Sequence, residues 1–183
     1  MPIAQTWAEE LIAEWLHLKG YLVETGLPAG TPSSGGRYEA DVVGVKILEN
    51  KLEIIHVEVG TLSKGKDSIV SLQKKFSGQY CESISKFFKI KFNFNGSTNY
   101  QKLYIATYCT KPVINAARSF NVTVIPLNEF IFSDILPTIS EWKKNPPHSP
   151  STRGSYITLP QSYWLLQFLD YMFAYKLLKL SNQ

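Results

Sequence analysis

Asp41 and Glu58 are acids set inside apolar runs: the first is followed by "VVGV" and the second lies in "IIHVEV". Charged side chains are rare in such surroundings unless something pairs with them, and Asp41 is one of only four aspartates in the chain. Both belong to residues 37–60, "RYEADVVGVKILENKLEIIHVEVG", which read as a β-hairpin with strands near 39–48 and 52–59. A two-residue turn at Asn50–Lys51 pairs Glu49 with Leu52 and Val43 with Glu58. Side chains alternate along a strand, so Asp41 shares the face of Val43, and both acids point to one side near one end of the hairpin. Position 60 shares that face. A three-residue turn without a bulge would put the acids on opposite faces. Two converging carboxylates make a hard-oxygen site that suits Mg²⁺ (or Mn²⁺), which takes a few carboxylates plus waters and phosphate oxygens. Such an ion lowers the pKa of a bound water and stabilises charge on a scissile phosphate. The competing reading is an edge hairpin with solvated acids.

The elements around the hairpin follow from periodicity. Residues 5–19 read as a helix: Trp7, Leu11, Trp15 and Leu18 recur at helical spacing, Thr6 with Glu9 forms a capping box, and Gly20 terminates it. "YLVET" is a short strand and "GLPAGTPSSGG" a loop. After the basic loop "TLSKGKDS", Ile69, Leu72, Phe76, Tyr80, Ile84 and Phe87 mark one helix over 68–88. "KFNFNGSTNYQK" is a connector, "KLYIATYC" a buried strand, "KPVINAARSF" a helix with proline near its start, and "NVTVIPL" a strand; Asn128 then caps "EFIFSDIL". Segment 145–156 is a Pro/Ser linker, and "LPQSYWLLQFLDYMFAYKLLKL" is one apolar, aromatic-rich helix that closes the core or forms a dimer interface. The layout is α/β: a central mixed β-sheet flanked by helices, with 1–141 as the core and 142–183 as linker and C-terminal helix.

Composition narrows the function class. The chain has 183 residues, 44% hydrophobic and 19% charged, which fits a globular domain with a substantial core. It has no 18-residue apolar run and no signal-peptide pattern at its start, and Cys81 and Cys109 lack metal-ligand or redox spacing. The expectation is a cytoplasmic protein with no membrane contact. His17, His56 and His148 form no zinc constellation, and neither phosphate-binding glycine motif is present. The net charge of +4 hides an asymmetry. Residues 1–60 hold four Lys/Arg against nine Asp/Glu, a net of −5, whereas residues 61–128 hold ten against two, a net of +8. An acidic segment beside a basic one suits a metal site next to a phosphate-binding surface.

The ordered set of segments resembles the PD-(D/E)XK nuclease superfamily, the restriction-endonuclease-like fold, and within it the Mrr-like and Holliday-junction-resolvase-like branches. The matching run is a helix carrying Glu9, then "KGYLVETG", a Gly-rich loop, "YEADVVGV", a turn and "LEIIHVEV"; "LYIATYCTKPVINAARSFNVTVIPL" resembles the closing strand–helix–strand. The resemblance spans roughly residues 7–130. It implies Asp41 as principal metal ligand, Glu58 as the second, a carbonyl at Val59 that completes the shell, and Glu9 as a further ligand, with Glu10 and Glu14 as substitutes. An equally good reading of Glu9 is a helix-start acid favoured by the dipole.

The family pattern also calls for a lysine at position 60, and this chain has Gly60. Three explanations stand: the function moved to Lys64 or Lys66 in the next loop; it moved to the following helix, among Gln73, Lys74 and Lys75; or the site is degenerate and the protein binds without cutting. Lys46 falls on the opposite strand face. His56 shares the face of Glu58, as a partner of that acid, a general base, or simply a packed histidine. The resemblance thus implies Mg²⁺-dependent DNA hydrolysis by Asp41 and Glu58, with Lys64, Lys66 or Gln73 orienting water. Lys64, Lys66, Lys74, Lys75 and Lys102 would meet DNA phosphates, and a homodimer would supply two active sites for two strands.

Overall fold

The computed structural model describes residues 4–29, 38–146 and 158–177. The linker around His148 and the Gly-rich "PSSGG" lie outside them. Five strands form one mixed sheet in the order β1-β2-β3-β4-β5: Leu22–Ala29, Tyr38–Leu48, Lys51–Leu62, Ser97–Cys109 and Thr123–Pro126. β1, β2 and β3 pair antiparallel; β3–β4 and β4–β5 pair parallel, each across a helical crossover.

Alternation divides the sheet cleanly. Val42, Ile55, Val57 and Ile105 face α1 (Trp7–Leu18) and the helices after β5. Val43, Val45, Leu52 and Ile54 face α3 (Gly78–Lys91), which contributes Tyr80, Ile84 and Phe88. A third cluster joins Leu72 and Phe76 of the α2 end (Lys66–Lys75) to Tyr104, Ala106 and α4 (Lys111–Arg118). Helices thus cover both faces, as a parallel-containing sheet requires.

The structure redraws five expected boundaries. The hairpin turn is Glu49–Asn50, with Leu48 opposite Lys51 and Val43 opposite His56, two residues away from the expected register. Both registers keep the same residues on the same face, so burial does not choose between them; Glu49, with φ 53°, turns the chain. β1 runs on through Gly26 and Pro28 to Ala29, an edge strand where a loop is expected. β4 begins at Ser97, inside the expected connector, because pairing with β3 starts at Lys51–Ser97.

The expected 68–88 helix is two helices. The chain leaves helical geometry at Phe76, and Ser77 caps α3 through its hydroxyl and the Tyr80 N–H. Along α3 the buried stripe runs in steps of four, Tyr80, Ile84 and Phe88, and leaves Phe87 exposed. After β5, α5 (Leu127–Phe130) starts from Pro126 rather than from a cap at Asn128. A π-helical turn, Ile131–Ile135, then leads into α6 (Leu136–Lys144). Pro137 has no N–H for the Ser133 carbonyl, and the wider turn absorbs that mismatch.

The C-terminal helix α7, Trp164–Ala174, packs on α1 through Leu165 and Leu166. The buried Glu14 carboxylate accepts hydrogen bonds from the N–H groups of Leu165 and Leu166 at 3.2 and 2.9 Å, satisfying the start of α7. No helix among the described residues is long and apolar enough to cross a membrane.

Candidate active site

The β2–β3 ladder, continued one pair beyond Val42–Val57, sets Asp41 opposite Glu58, on the α2–α3 side of the sheet. Here the Asp41 carboxylate takes up a backbone donor: its Oδ2 accepts the Val59 N–H at 2.8 Å. Glu58 is fully buried. One of its oxygens meets His56 Nε2 at 2.8 Å, and the other is in direct contact with Lys75 Nζ. The same ammonium lies 3.6 Å from Asp41 Oδ2. Lys75 is the last residue of α2, and the break after it is what ends the helix with this side chain over the sheet.

A buried chain of polar groups stands behind Glu58. His56 Nδ1 lies 3.0 Å from the Tyr100 hydroxyl. Tyr100 is also hydrogen-bonded to Cys81, whose thiol burial pushes up in pKa and keeps protonated. Because an ionised Glu58 only accepts, His56 must carry its proton on Nε2, which fixes how the imidazole sits. Phe76, with ring centroids 4.7 Å apart, and Tyr80 close over that imidazole.

Two carboxylates facing one ammonium titrate apart. Burial pushes Glu58 up, but the His56 hydrogen bond and the Lys75 charge outweigh it and hold Glu58 below the usual carboxylate range. Asp41 is pushed up to about 7, first by burial and then by the charge of Glu58, with Lys75 only partly offsetting them. The two acids hold Lys75 above the usual lysine range despite its own burial. The site therefore has one acid that stays charged and one that changes state near neutral pH.

Gly60 has a structural reason. Its φ of 157° is one that L side chains rarely adopt, and a Cβ there would stand 2.8 Å from the hydroxyl end of Tyr104, which would have to give way. Tyr104 is the β4 neighbour of Glu58, and burial pushes its phenol up to about 12, leaving it protonated. The β3–β4 register shifts immediately after Gly60, where Thr107 Oγ1 bonds to the Gly60 carbonyl at 3.2 Å.

The other expected residues lie around this cluster. Lys64, Lys66, Gln73 and Lys74 are exposed on the loop and α2, and the ammonium that reaches the carboxylates is that of Lys75. Lys102 Nζ instead bonds the Phe76 carbonyl at 3.1 Å, tying down the α2–α3 break. Glu9 closes the N-terminus of α1: its carboxylate bonds Thr6 Oγ1 at 3.0 Å and the Gln5 N–H at 2.8 Å. It reaches Asp41 only as a nearby negative charge. Glu14 is committed to α7. Lys46 is on the opposite face, against the Lys19 carbonyl and the Tyr21 ring. Tyr100 and Tyr104 join the site unannounced by any motif; the alternation in "YQKLYIA" marks them as sharing a face, and parallel pairing beside β3 makes that face the one with Glu58.

Among the described residues, no group of three or more His, Cys, Asp or Glu is arranged as a ready metal cage. The cluster is two carboxylates and an ammonium, so the carboxylate oxygens are its metal donors. No protein-family model matches this chain, and no curated protein matches it. A solved structure, the crystal structure of protein of unknown function AF1548, is similar with 12% identity and a TM-score of 0.41, over 74% of this chain and 65% of that one. The match therefore spans less than two thirds of that protein's chain.

Proposed function

We propose that this protein is a divalent-metal-dependent endonuclease, hydrolysing phosphodiester bonds in DNA from a restriction-endonuclease-like core. The observation that carries the reading is the meeting of Asp41, Glu58 and the Lys75 ammonium at one end of the β2–β3 hairpin. These are the chemical groups of the nuclease motif, with the lysine delivered from α2 instead of from position 60.

The residues fit Mg²⁺ or Mn²⁺. The donors are hard oxygens, and Asp41 is raised to about 7 by burial first and then by the charge of Glu58, the second of which a cation between the acids would offset. Asp41 and Glu58 would hold the ion, which when bound supplies an activated water and neutralises charge at the scissile phosphate. His56 holds the Glu58 carboxylate in one orientation. Lys75, about 30% exposed at the lip of the site, is placed to offset phosphate charge. Exposed Lys64, Lys66 and Lys74 on the same loop and helix offer backbone-phosphate contacts, which position DNA without reading its sequence.

A second reading is a nuclease fold that binds nucleic acid without cutting it. Lys75 favours it, because its ammonium already contacts Glu58 and stands 3.6 Å from Asp41, in the space between the acids. Cleavage of linear, nicked, branched and single-stranded DNA in Mg²⁺ or Mn²⁺ separates the two. The endonuclease reading expects at least one substrate to be cut by the wild type and neither Asp41→Ala nor Lys75→Met to cut above background. Equal cleavage by Asp41→Ala would remove the site assignment. Salt-sensitive binding with no cleavage of any substrate would establish the second reading.

A further inference from the structure

One face of α7 packs on α1 and α6 through Leu165, Leu166 and Leu169. The opposite face carries Trp164, Phe168 and Tyr171, with Tyr175 at the C-cap, exposed by 57, 56, 55 and 65%. At 100° per residue these four fall within about 60° of one another and form a narrow stripe, while Phe173, 52% exposed, stands apart from it near the helix end. Single exposed aromatics need no explanation, but a contiguous stripe of four does.

We propose that this stripe is the contact through which α7 pairs with the α7 of a second copy of the chain. The spacing of the four is 4-3-4, the a/d pattern of a coiled-coil seam. It reads the same in both directions about a midpoint between Leu169 and Asp170. A two-fold axis at that midpoint sets Trp164 against Tyr175 of the partner subunit, and Phe168 against the partner's Tyr171. A two-fold contact must be complementary to itself, and a palindromic stripe meets that condition in the antiparallel sense. No charged residue lies on the stripe. Asp170, the only charge in α7, is beside it and bonded to Lys143 of α6, so no like charges meet across the axis.

The size is at the lower limit for a specific dimer. A buried aromatic side chain covers about 150–250 Å². With each a little over half exposed, the four offer roughly 500 Å² per chain, or about 1,000 Å² for the pair, where specific interfaces begin. A membrane surface suits the helix less well: α7 itself has no Lys or Arg, and the flanking cation among the described residues, Lys176, turns off the helix path at φ 58° just past Tyr175.

Sedimentation velocity on the full chain, from about 1 to about 100 μM, tests this. The weight-average mass should rise from that of the 20.7 kDa monomer towards twice that value. Phe168→Glu with Tyr171→Glu should stay monomeric throughout, with an unchanged far-UV spectrum. Phe168→Gln, a milder change, should weaken association about tenfold. A wild type that is monomeric at the highest concentration would overturn the proposal, as would a dimer indifferent to these substitutions. Monomeric wild type that co-sediments with phosphatidylglycerol vesicles would also overturn it, in favour of a lipid surface.

Discussion

At the residue scale, the site is a balance of two acids against one ammonium, and the balance is incomplete. Asp41 has an ordinary value of 3.8 and is raised to about 7 in the fold. Its folded state holds the proton more tightly, so the stability linked to it is full below about pH 4 and is lost as pH rises to about 7. Asp41→Asn keeps an oxygen for the Val59 N–H and removes the charge. It should therefore be more stable than the wild type above neutrality, by as much as about 4 kcal/mol, the equivalent of that pKa difference. Urea unfolding at pH 5 and pH 8 checks this; an advantage that does not grow with pH would contradict it. Lys75→Met should cost about 3 kcal/mol, because it leaves buried Glu58 without its cation. Adding Glu58→Gln should recover much of that loss.

Gly60 gives a sharper residue-scale prediction. The Tyr104 hydroxyl is 2.8 Å from a Cβ at position 60, and the next Tyr104 atom is 3.9 Å away. Gly60→Ala should be better tolerated in a Tyr104→Phe background, with a coupling of about 1 kcal/mol in a double-mutant cycle. Strict additivity would refute the Tyr104 contact as a reason for glycine at this position.

At the element scale, the sequence was legible where one local rule decided. The alternating strands of the hairpin, the capped helix α1 and the proline-started α4 all follow from period and punctuation. Legibility failed where a contact distant in sequence decided. Nothing local fixes which of two equivalent registers the hairpin takes, and the face of Asp41 and Glu58 survived only because the registers differ by two. The α2–α3 break hides inside an unbroken apolar stripe. That break is also what singles out Lys75 from Gln73 and Lys74, so the candidate site was readable in its acids and only bracketed in its lysine. Glu14 looked like a spare ligand because its partners, Leu165 and Leu166, are more than 150 residues away. Glu14→Ala should cost about 2 kcal/mol by leaving two buried N–H groups unpaired. It should also expose the segment before Trp164 to proteolysis; an unchanged digestion pattern would argue against this capping.

At the scale of the whole molecule, acidic and basic halves of the sequence meet on one side of the sheet: the carboxylates come from β2 and β3, and the lysines from the loop and helix that follow. If this surface binds DNA, affinity falls steeply with salt, and replacing Lys64, Lys66 and Lys74 with alanine should lower the salt slope by about 3. An unchanged slope would place the DNA elsewhere.

Cleavage assays depend on offering the right DNA; ion binding does not, and it reads the site itself. Calorimetric titration of the wild type with Mn²⁺ at pH 6 and pH 8 is therefore the most direct test. The account predicts one ion per chain, weaker by up to about tenfold per pH unit below 7 because Asp41 must lose its proton, and no binding by Asp41→Ala. Absence of binding at pH 8, or undiminished binding by Asp41→Ala, would contradict it.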